Sequence, residues 1–139
     1  MYVLDTDILT ELAKRTPNRH LTAWRKRTSP DLLFLSICTI MEVRKGIERA
    51  RENGATDSKI AQIEKNWQPV LDGFRGQILD ATQDVAANWA FQLRRNDKHF
   101  ADKLIAATAI HHGFTVITNN DKDFSKFGVQ FLNPMKAGK

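Results

Sequence analysis

Several acidic side chains follow short apolar segments of the chain, in positions where they could act together on a charged ligand. Asp5 comes directly after "YVL", Glu42 lies in the first turns after "LLFLS", and Asp102 begins a helical segment. Asp121 and Asp123 follow "TVIT". Carboxylates gathered at one place repel one another, so such a cluster needs a cationic counter-charge. The pattern therefore favours Mg²⁺ held by carboxylates, which can activate water for attack on a phosphodiester.

Each acid also has a simpler interpretation as a structural residue. Asp5, Asp7 and Asp102 stand at predicted helix starts, where acids are favoured as caps. Glu42 is consistent with a solvated helix acid paired with the basic residues of "EVRKG", and the acids of "NNDKDF" are consistent with a turn. Acids on three separate segments at one sheet edge are nevertheless unnecessary for folding. Their combination favours a shared site.

Soft-metal chemistry finds no support in the sequence. Cys38 is the only cysteine, and within "LFLSICTIM" it is predicted to be a small buried residue. The histidines show no metal-binding arrangement on one face; they are His20, His99, His111 and His112. The absence of a glycine-rich phosphate loop argues against a nucleotide-hydrolysing machine.

The elements that must position the acids alternate along the chain. Five apolar segments rich in Val, Ile, Leu and Phe are predicted strands: "YVL", "LLFLS", "GQILDA", "TVIT" and "VQFL". Segments with helical spacing lie between the strands. Pro17 is predicted to end the first helix and to start the next one. Gly113 is predicted to end the last long helix. This order predicts an α/β sandwich whose parallel strands carry the ligand site at their carboxyl ends.

Composition indicates a single domain in a reducing compartment. The chain of 139 residues is long enough for one continuous core. Three features together predict a cytoplasmic protein. The chain has a lone cysteine, its N-terminus has no basic segment before an apolar one, and its apolar run over 32–41 is too short for a bilayer. A formal net charge of +5 and a pI near 9.6 favour a polyanionic partner such as nucleic acid.

Three segments resemble the PIN-domain family, specifically its VapC-type toxin ribonucleases. "VLDTDILTEL" is similar to the family's opening acidic motif, "SICTIMEVRKGIE" to its glutamate-bearing helix, and "FADKLIAATAIHHGFTVITNNDKDF" to its aspartate–helix–strand segment. Because the resemblance runs almost to the C-terminus, residues 1–139 are expected to form a single PIN domain. The resemblance implies a PIN-like α/β/α sandwich with a central, mainly parallel sheet of about five strands.

The same resemblance carries the family's site residues onto this chain. Asp5, Glu42 and Asp102 correspond to three acids that surround Mg²⁺ or Mn²⁺ in the family, with Asp5 and Asp102 as the expected metal ligands. Asp123 is the preferred fourth catalytic acid, since the other position that the family uses holds an asparagine here. "DTD" is a second departure, because the family usually has Asp-Thr-Asn. Possible helpers are Thr6, Asp7, Asn120 and Asp121.

The function implied by the resemblance is that of a metal-dependent endoribonuclease, the toxin of a toxin–antitoxin pair, which cleaves structured RNA such as transfer or ribosomal RNA. Cleavage would leave 5′-phosphate and 3′-hydroxyl ends. The resemblance also implies a homodimer and a VapB-like antitoxin that occupies the active-site groove and alone contacts operator DNA. Basic side chains that are either solvated or in contact with RNA phosphates are Arg44, Lys45, Arg94, Arg95 and Lys98.

Two other functions stay open from the sequence. A phosphohydrolase with an aspartyl nucleophile also begins with a strand followed by Asp-x-Asp, as in "VLDTD", but it leaves Glu42 and Asp102 without a role. A nucleic-acid-binding module that keeps the PIN fold without the chemistry is consistent with the basic charge and with Asn120. Retention of the three acids at Asp5, Glu42 and Asp102 argues against that second alternative.

Overall fold

The predicted strands form one all-parallel sheet in the computed structural model, which describes residues 1–136. They are β1 (Tyr2–Leu4), β2 (Leu33–Ser36), β3 (Ile78–Leu79), β4 (Thr115–Ile117) and β5 (Phe131–Leu132). Their order across the sheet is β3-β2-β1-β4-β5, and each neighbouring pair is parallel. The outer strands β3 and β5 are shorter than the predicted segments, because each has a hydrogen-bonding partner on one side only.

Helices connect the strands in the predicted alternation. They are α1 (Thr6–Leu12), α2 (Arg19–Arg27), α3 (Ile37–Glu52), α4 (Asp57–Asp72), α5 (Gln83–Leu93), α6 (Phe100–His112) and α7 (Asp121–Phe124), with a short 3₁₀ turn at Pro30–Leu32. Gly113 ends α6 in the left-handed conformation, with φ of 70°, as predicted. Within residues 1–136 no helix has the length and apolarity needed to cross a membrane.

The prediction that Pro17 starts the second helix is wrong. Asn18 caps α2, because its side-chain oxygen accepts the backbone N–H groups of His20 and Leu21 at 2.9 and 3.1 Å. Pro17 lies before this cap, in the turn after α1. The local chemistry explains the difference, since a helix start needs an acceptor for its free N–H groups more than it needs a fixed φ.

Both faces of the sheet are covered by helices, which confirms the α/β/α sandwich. Adjacent residues of β1 serve opposite cores, since Val3 packs in the core around α6 and Leu4 in the core around α1 and α2. Val116 and Ile117 of β4 divide in the same way. This follows from the alternation of side chains along a strand, and it explains why these strands are apolar throughout.

The central strands end at the same edge of the sheet. Val3 pairs with Val116 and Leu4 with Ile117, and the backbone N–H of Asp5 then donates to the carbonyl of Ile117 at 2.8 Å. The residue after β1 is therefore still held by the sheet. This register fixes Asp5 beside the residues that follow β4.

Candidate active site

Asp5 is a buried carboxylate that does not cap the helix it precedes. It stands at the N-cap position of α1, but its side chain makes no capping hydrogen bond, so the capping interpretation of this carboxylate is wrong. Its Oδ2 instead accepts a hydrogen bond from Thr118 Oγ1 at 2.8 Å. Only 3% of Asp5 is exposed. The carboxylate is thus held in one orientation at the carboxyl edge of the sheet.

The surroundings of Asp5 oppose its negative charge. Burial is the main reason that the pKa of this carboxyl is raised from 3.8 to about 7, and the negative charges of Asp102 and Asp7 add to the increase. The hydrogen bond from Thr118 lowers the pKa, but it does not offset the burial. A carboxylate in this environment is stabilised by a nearby cation.

Glu42 is joined to α1 through a hydroxyl group. Thr6 Oγ1 donates to Glu42 Oε1 at 2.6 Å and lies 2.9 Å from Thr39 Oγ1, so α1 and α3 are linked at the site. Among residues 1–136, Glu42 forms no ion pair with Arg44 or with the lysine that follows it. The alternative interpretation of Glu42 as a solvated, ion-paired helix acid is therefore wrong.

Asp102 lies in the first turn of α6, where the charges of several other acids reach it. Its pKa is raised from 3.8 to about 6, first by burial and then by the charges of Glu42 and Asp7, with a smaller contribution from Asp123. The N-cap position of α6 belongs to His99, so Asp102 is not the cap. The acids predicted from separate segments therefore act on one another in a single site.

Asp123 forms the more open side of this site. Its Oδ2 accepts a hydrogen bond from Asn120 Nδ2 at 2.9 Å and lies 3.5 Å from His99 Nδ1. The hydrogen bond from Asn120 is the main reason that the pKa of Asp123 is lowered. Asn120 is thus a hydrogen-bond partner of Asp123, and its role as a helper of the site stays a prediction.

The other two predicted helpers lie in different surroundings. Asp7 is exposed, and its charge contributes to the raised pKa of both Asp5 and Asp102. Asp121 is turned toward the C-terminal segment, where its carboxylate accepts hydrogen bonds from Asn133 and Lys136. Those contacts lower the pKa of Asp121 and stabilise the C-terminal segment against α7.

His99 and Thr118 are site residues that the sequence analysis missed. One ligand atom each from His99, Asp102 and Asp123 lies within 4.8 Å of the other two, a grouping of one histidine with two acids that the sequence analysis did not predict. The spacing of His99 three residues before Asp102, at a helix start, was the available signal. For Thr118 the signal was a hydroxyl residue at the end of "TVIT", on the same edge as Asp5.

The donor atoms of the site fit a hard divalent cation. The structure groups the ligand atoms of His99, Asp102 and Asp123, while Asp5 and Glu42 lie outside that group. The charge of Asp102 acts on Asp5, and the charge of Glu42 acts on Asp102. No lysine or arginine among residues 1–136 forms an ion pair with any of these four acids. Carboxylate oxygens suit Mg²⁺ and Mn²⁺, and the uncompensated charge of the buried Asp5 is an observation that a bound cation explains.

A cleft of about 310 Å³ extends from Glu42 between α1, α3 and α4. Its lining combines the hydroxyls of Thr6 and Thr10 with the apolar surface of Ile63 and Trp67. An extended chain seated there would reach Glu42 directly.

Comparison with known proteins relates this architecture to one family. A family model described as PIN domain matches residues 2–130. The VapC ribonuclease Y4jK of Sinorhizobium fredii is 33% identical over 139 residues, covering 96% of this chain and 97% of that protein. Toxin FitB of Neisseria gonorrhoeae is 34% identical over 140 residues, covering 96% and 98%. Among solved structures, FitAB bound to an IR36 DNA fragment superposes with a TM-score of 0.82 at 30% identity, covering 100% of this chain and 99% of that one.

Proposed function

The chain belongs to the PIN-domain family, and we propose that it is a metal-dependent endoribonuclease that acts as the toxin of a toxin–antitoxin pair. The observation that carries this proposal is the convergence of carboxylates that directly follow β1 and lie on α3, α6 and α7, none of which forms an ion pair with a lysine or arginine of residues 1–136. Its substrate would be structured RNA, either transfer RNA or ribosomal RNA. Similarity to a VapC ribonuclease supports RNA rather than another phosphodiester.

Some residues of the site would bind the metal, and others would orient those ligands. Asp5 and Asp102, with Glu42 and Asp123, would bind Mg²⁺ or Mn²⁺, which when bound activates water and stabilises the leaving oxygen. Thr118 orients Asp5, and Thr6 orients Glu42, through the hydrogen bonds described above. Hydrolysis of the phosphodiester would leave 5′-phosphate and 3′-hydroxyl ends.

The partners are inferred from the relatives. FitAB is bound to a DNA fragment, and a neighbouring VapBC complex from Salmonella typhimurium is also DNA-bound. We infer that this chain pairs with a VapB-like antitoxin that blocks the site and contacts operator DNA. We also infer a homodimer and a cytoplasmic location for the single domain over 1–139.

The experiment that tests the function uses the purified protein free of antitoxin. It is incubated with total RNA in Mg²⁺ or Mn²⁺, beside a reaction in EDTA and beside Asp102→Asn. Discrete cuts that disappear in both controls are expected, because the metal needs this carboxylate. If the folded protein leaves RNA intact both in Mg²⁺ and in Mn²⁺, the result would contradict the proposal and favour a nucleic-acid-binding module without catalytic activity.

The aspartyl-nucleophile alternative is less well supported by the geometry. Asp5 shares its site with Asp102, whose charge acts on it directly, and such a phosphohydrolase has no role for Asp102 or Glu42. Trapping of the protein by beryllium fluoride, together with loss of RNA cleavage, would favour that alternative.

A further inference from the structure

A basic pocket lined in part by His99 lies beside the acids. It has a volume of about 380 Å³ and lies between the end of α5, the start of α6 and the segment after α7. None of the residues that line it is acidic. Its cationic side chains are Arg94, Arg95, Lys98, Lys103 and Lys126. The pocket therefore concentrates positive charge beside a site that concentrates negative charge.

Lys103 distinguishes this pocket from an ordinary basic surface. The residue is only 8% exposed, and its contacts are long: Nζ lies 3.4 Å from the backbone oxygen of Asn96 and 3.5 Å from Asn96 Oδ1. No carboxylate of residues 1–136 pairs with it. The side chain is mostly buried and its ammonium group faces the pocket lining, where its two neutral oxygen partners are at the limit of hydrogen-bond distance and compensate the charge only weakly. An anion in the pocket would supply the missing partner.

The pocket and the acid cluster share a wall. His99 lines the pocket and also lies 3.5 Å from Asp123, and Lys103 follows Asp102 directly in α6. His99 holds a left-handed backbone conformation with φ of 57°, which turns the chain between the two sites. A ligand with charges repeated at short intervals could occupy both.

We propose that the basic pocket binds a phosphodiester of the RNA backbone next to the one that is cleaved. This inference rests on the proposed function and names a second contact for its substrate. Lysine and arginine donate charge-assisted hydrogen bonds to phosphate oxygens, and each such contact displaces counterions from the RNA. The positive charge of the pocket would offset the repulsion between the RNA phosphates and the carboxylates when those carboxylates hold no metal. An acidic segment of a protein is a different kind of ligand, and it is less favoured because the pocket adjoins a site for phosphodiester hydrolysis.

The test measures RNA binding in EDTA, where the substrate stays intact. A labelled short single-stranded RNA is titrated by fluorescence anisotropy at several salt concentrations, using wild type, Lys103→Met and Lys126→Ala. Each variant is expected to bind about three- to tenfold more weakly at low salt. The slope of log affinity against log salt should fall by about 0.7 for each lost contact. Methionine keeps the apolar stem of Lys103, and the exposed Lys126 provides a variant that does not depend on core packing.

Lys65→Ala is the matched control, since Lys65 is exposed on α4, which packs against α3 and not against the pocket. It should stay within about twofold of wild type. Equal affinity and equal salt slope for all four proteins would overturn the pocket proposal. If Lys103→Met and Lys126→Ala bind an acidic peptide more weakly than wild type does, but bind RNA as wild type does, the proposal is overturned in favour of a protein ligand.

Two further comparisons separate the source of the phosphate and the two proposals. RNAs with 5′-hydroxyl and 5′-phosphate ends should bind equally, because an internal phosphodiester is the ligand; a preference for the 5′-phosphate, or competition by inorganic phosphate, would contradict this.

If wild type cleaves RNA and Lys103→Met and Lys126→Ala cleave it with unchanged KM, the pocket proposal fails and the nuclease stands. If wild type cleaves nothing and the same variants still lose RNA binding, the pocket stands and the nuclease fails.

Discussion

Asp5 and Asp123 are carboxylates of one site, yet their environments change their pKa values in opposite directions. Asp5 is 3% exposed with a pKa raised to about 7, whereas the side chain of Asp123 is 18% exposed with a lowered pKa. Each accepts one side-chain hydrogen bond, from Thr118 and from Asn120 respectively. Burial is the largest cause of the raised pKa of Asp5, whereas the hydrogen bond from Asn120 is the largest cause of the lowered pKa of Asp123. The need for a cation is therefore greater on the inner side of the candidate site.

Neutralising each of these two acids in turn tests whether the inner and outer carboxylates differ in their contribution to activity. Asp5→Asn is expected to lower kcat/KM for RNA cleavage by about 10³-fold, while Asp123→Asn lowers it by about tenfold. The reason is that the hydrogen bond from Thr118 does not offset the burial of Asp5, whereas Asp123 is more open and has both Asn120 and His99 beside it. Steady-state cleavage at saturating Mg²⁺ measures both.

Circular dichroism should show both of these variants folded. Equal losses of activity would mean that the inner and outer acids contribute alike, which would contradict the division drawn from burial.

A second comparison concerns stability against pH without metal. The stability that a raised pKa contributes is fully present below the ordinary value of 3.8 and is lost as the pH rises through about 7 for Asp5. The free energy of unfolding should therefore fall between about pH 4 and 7, with Asp5 contributing at most about 1.4 kcal/mol per pH unit. Urea unfolding in EDTA across this range measures the slope.

Asp5→Asn should flatten that slope, and Mg²⁺ should restore the stability of wild type at pH 7. A slope that is the same in Asp5→Asn as in wild type would show that the buried carboxylate is not the group responsible.

A third comparison concerns the hydroxyl that orients Asp5. Thr118→Val keeps the shape of the side chain but removes the 2.8 Å hydrogen bond, so metal affinity should fall by about 10- to 100-fold. Isothermal titration with Mn²⁺ measures it. Thr108→Val is the control, because Thr108 is equally buried and donates only to the carbonyl of Leu104 within α6. Equal metal affinities of the two variants would remove Thr118 from the site.

The sequence was sufficient to predict the strands and the acids that follow them. Continuous apolar runs such as "TVIT" predict buried parallel strands, and the carboxyl ends of such strands meet at one edge. Asp5, Glu42 and Asp102 were predicted to share a site for that reason, and this stays a prediction. The predicted burial of Cys38 is confirmed.

The remaining details depend on tertiary contacts that a linear pattern does not contain. The left-handed turn at His99 brings its imidazole to Asp123, although the two residues belong to separate elements. The capping interpretation of Asp5 failed because the sheet register offers its side chain the hydroxyl of Thr118 instead. Both cases concern the choice between a local partner and a distant one.

The hydrogen bond between Asp5 and Thr118 joins residues 113 positions apart, which has a consequence for the timing of synthesis. A growing chain that has not yet reached Thr118 carries Asp5 without the hydroxyl that orients it, and it also lacks Asp123. The candidate site is therefore incomplete on such a chain. The acids can gather around a metal only after the chain has grown past Asp123, so the order of synthesis delays the assembly of the site relative to the appearance of its first carboxylate.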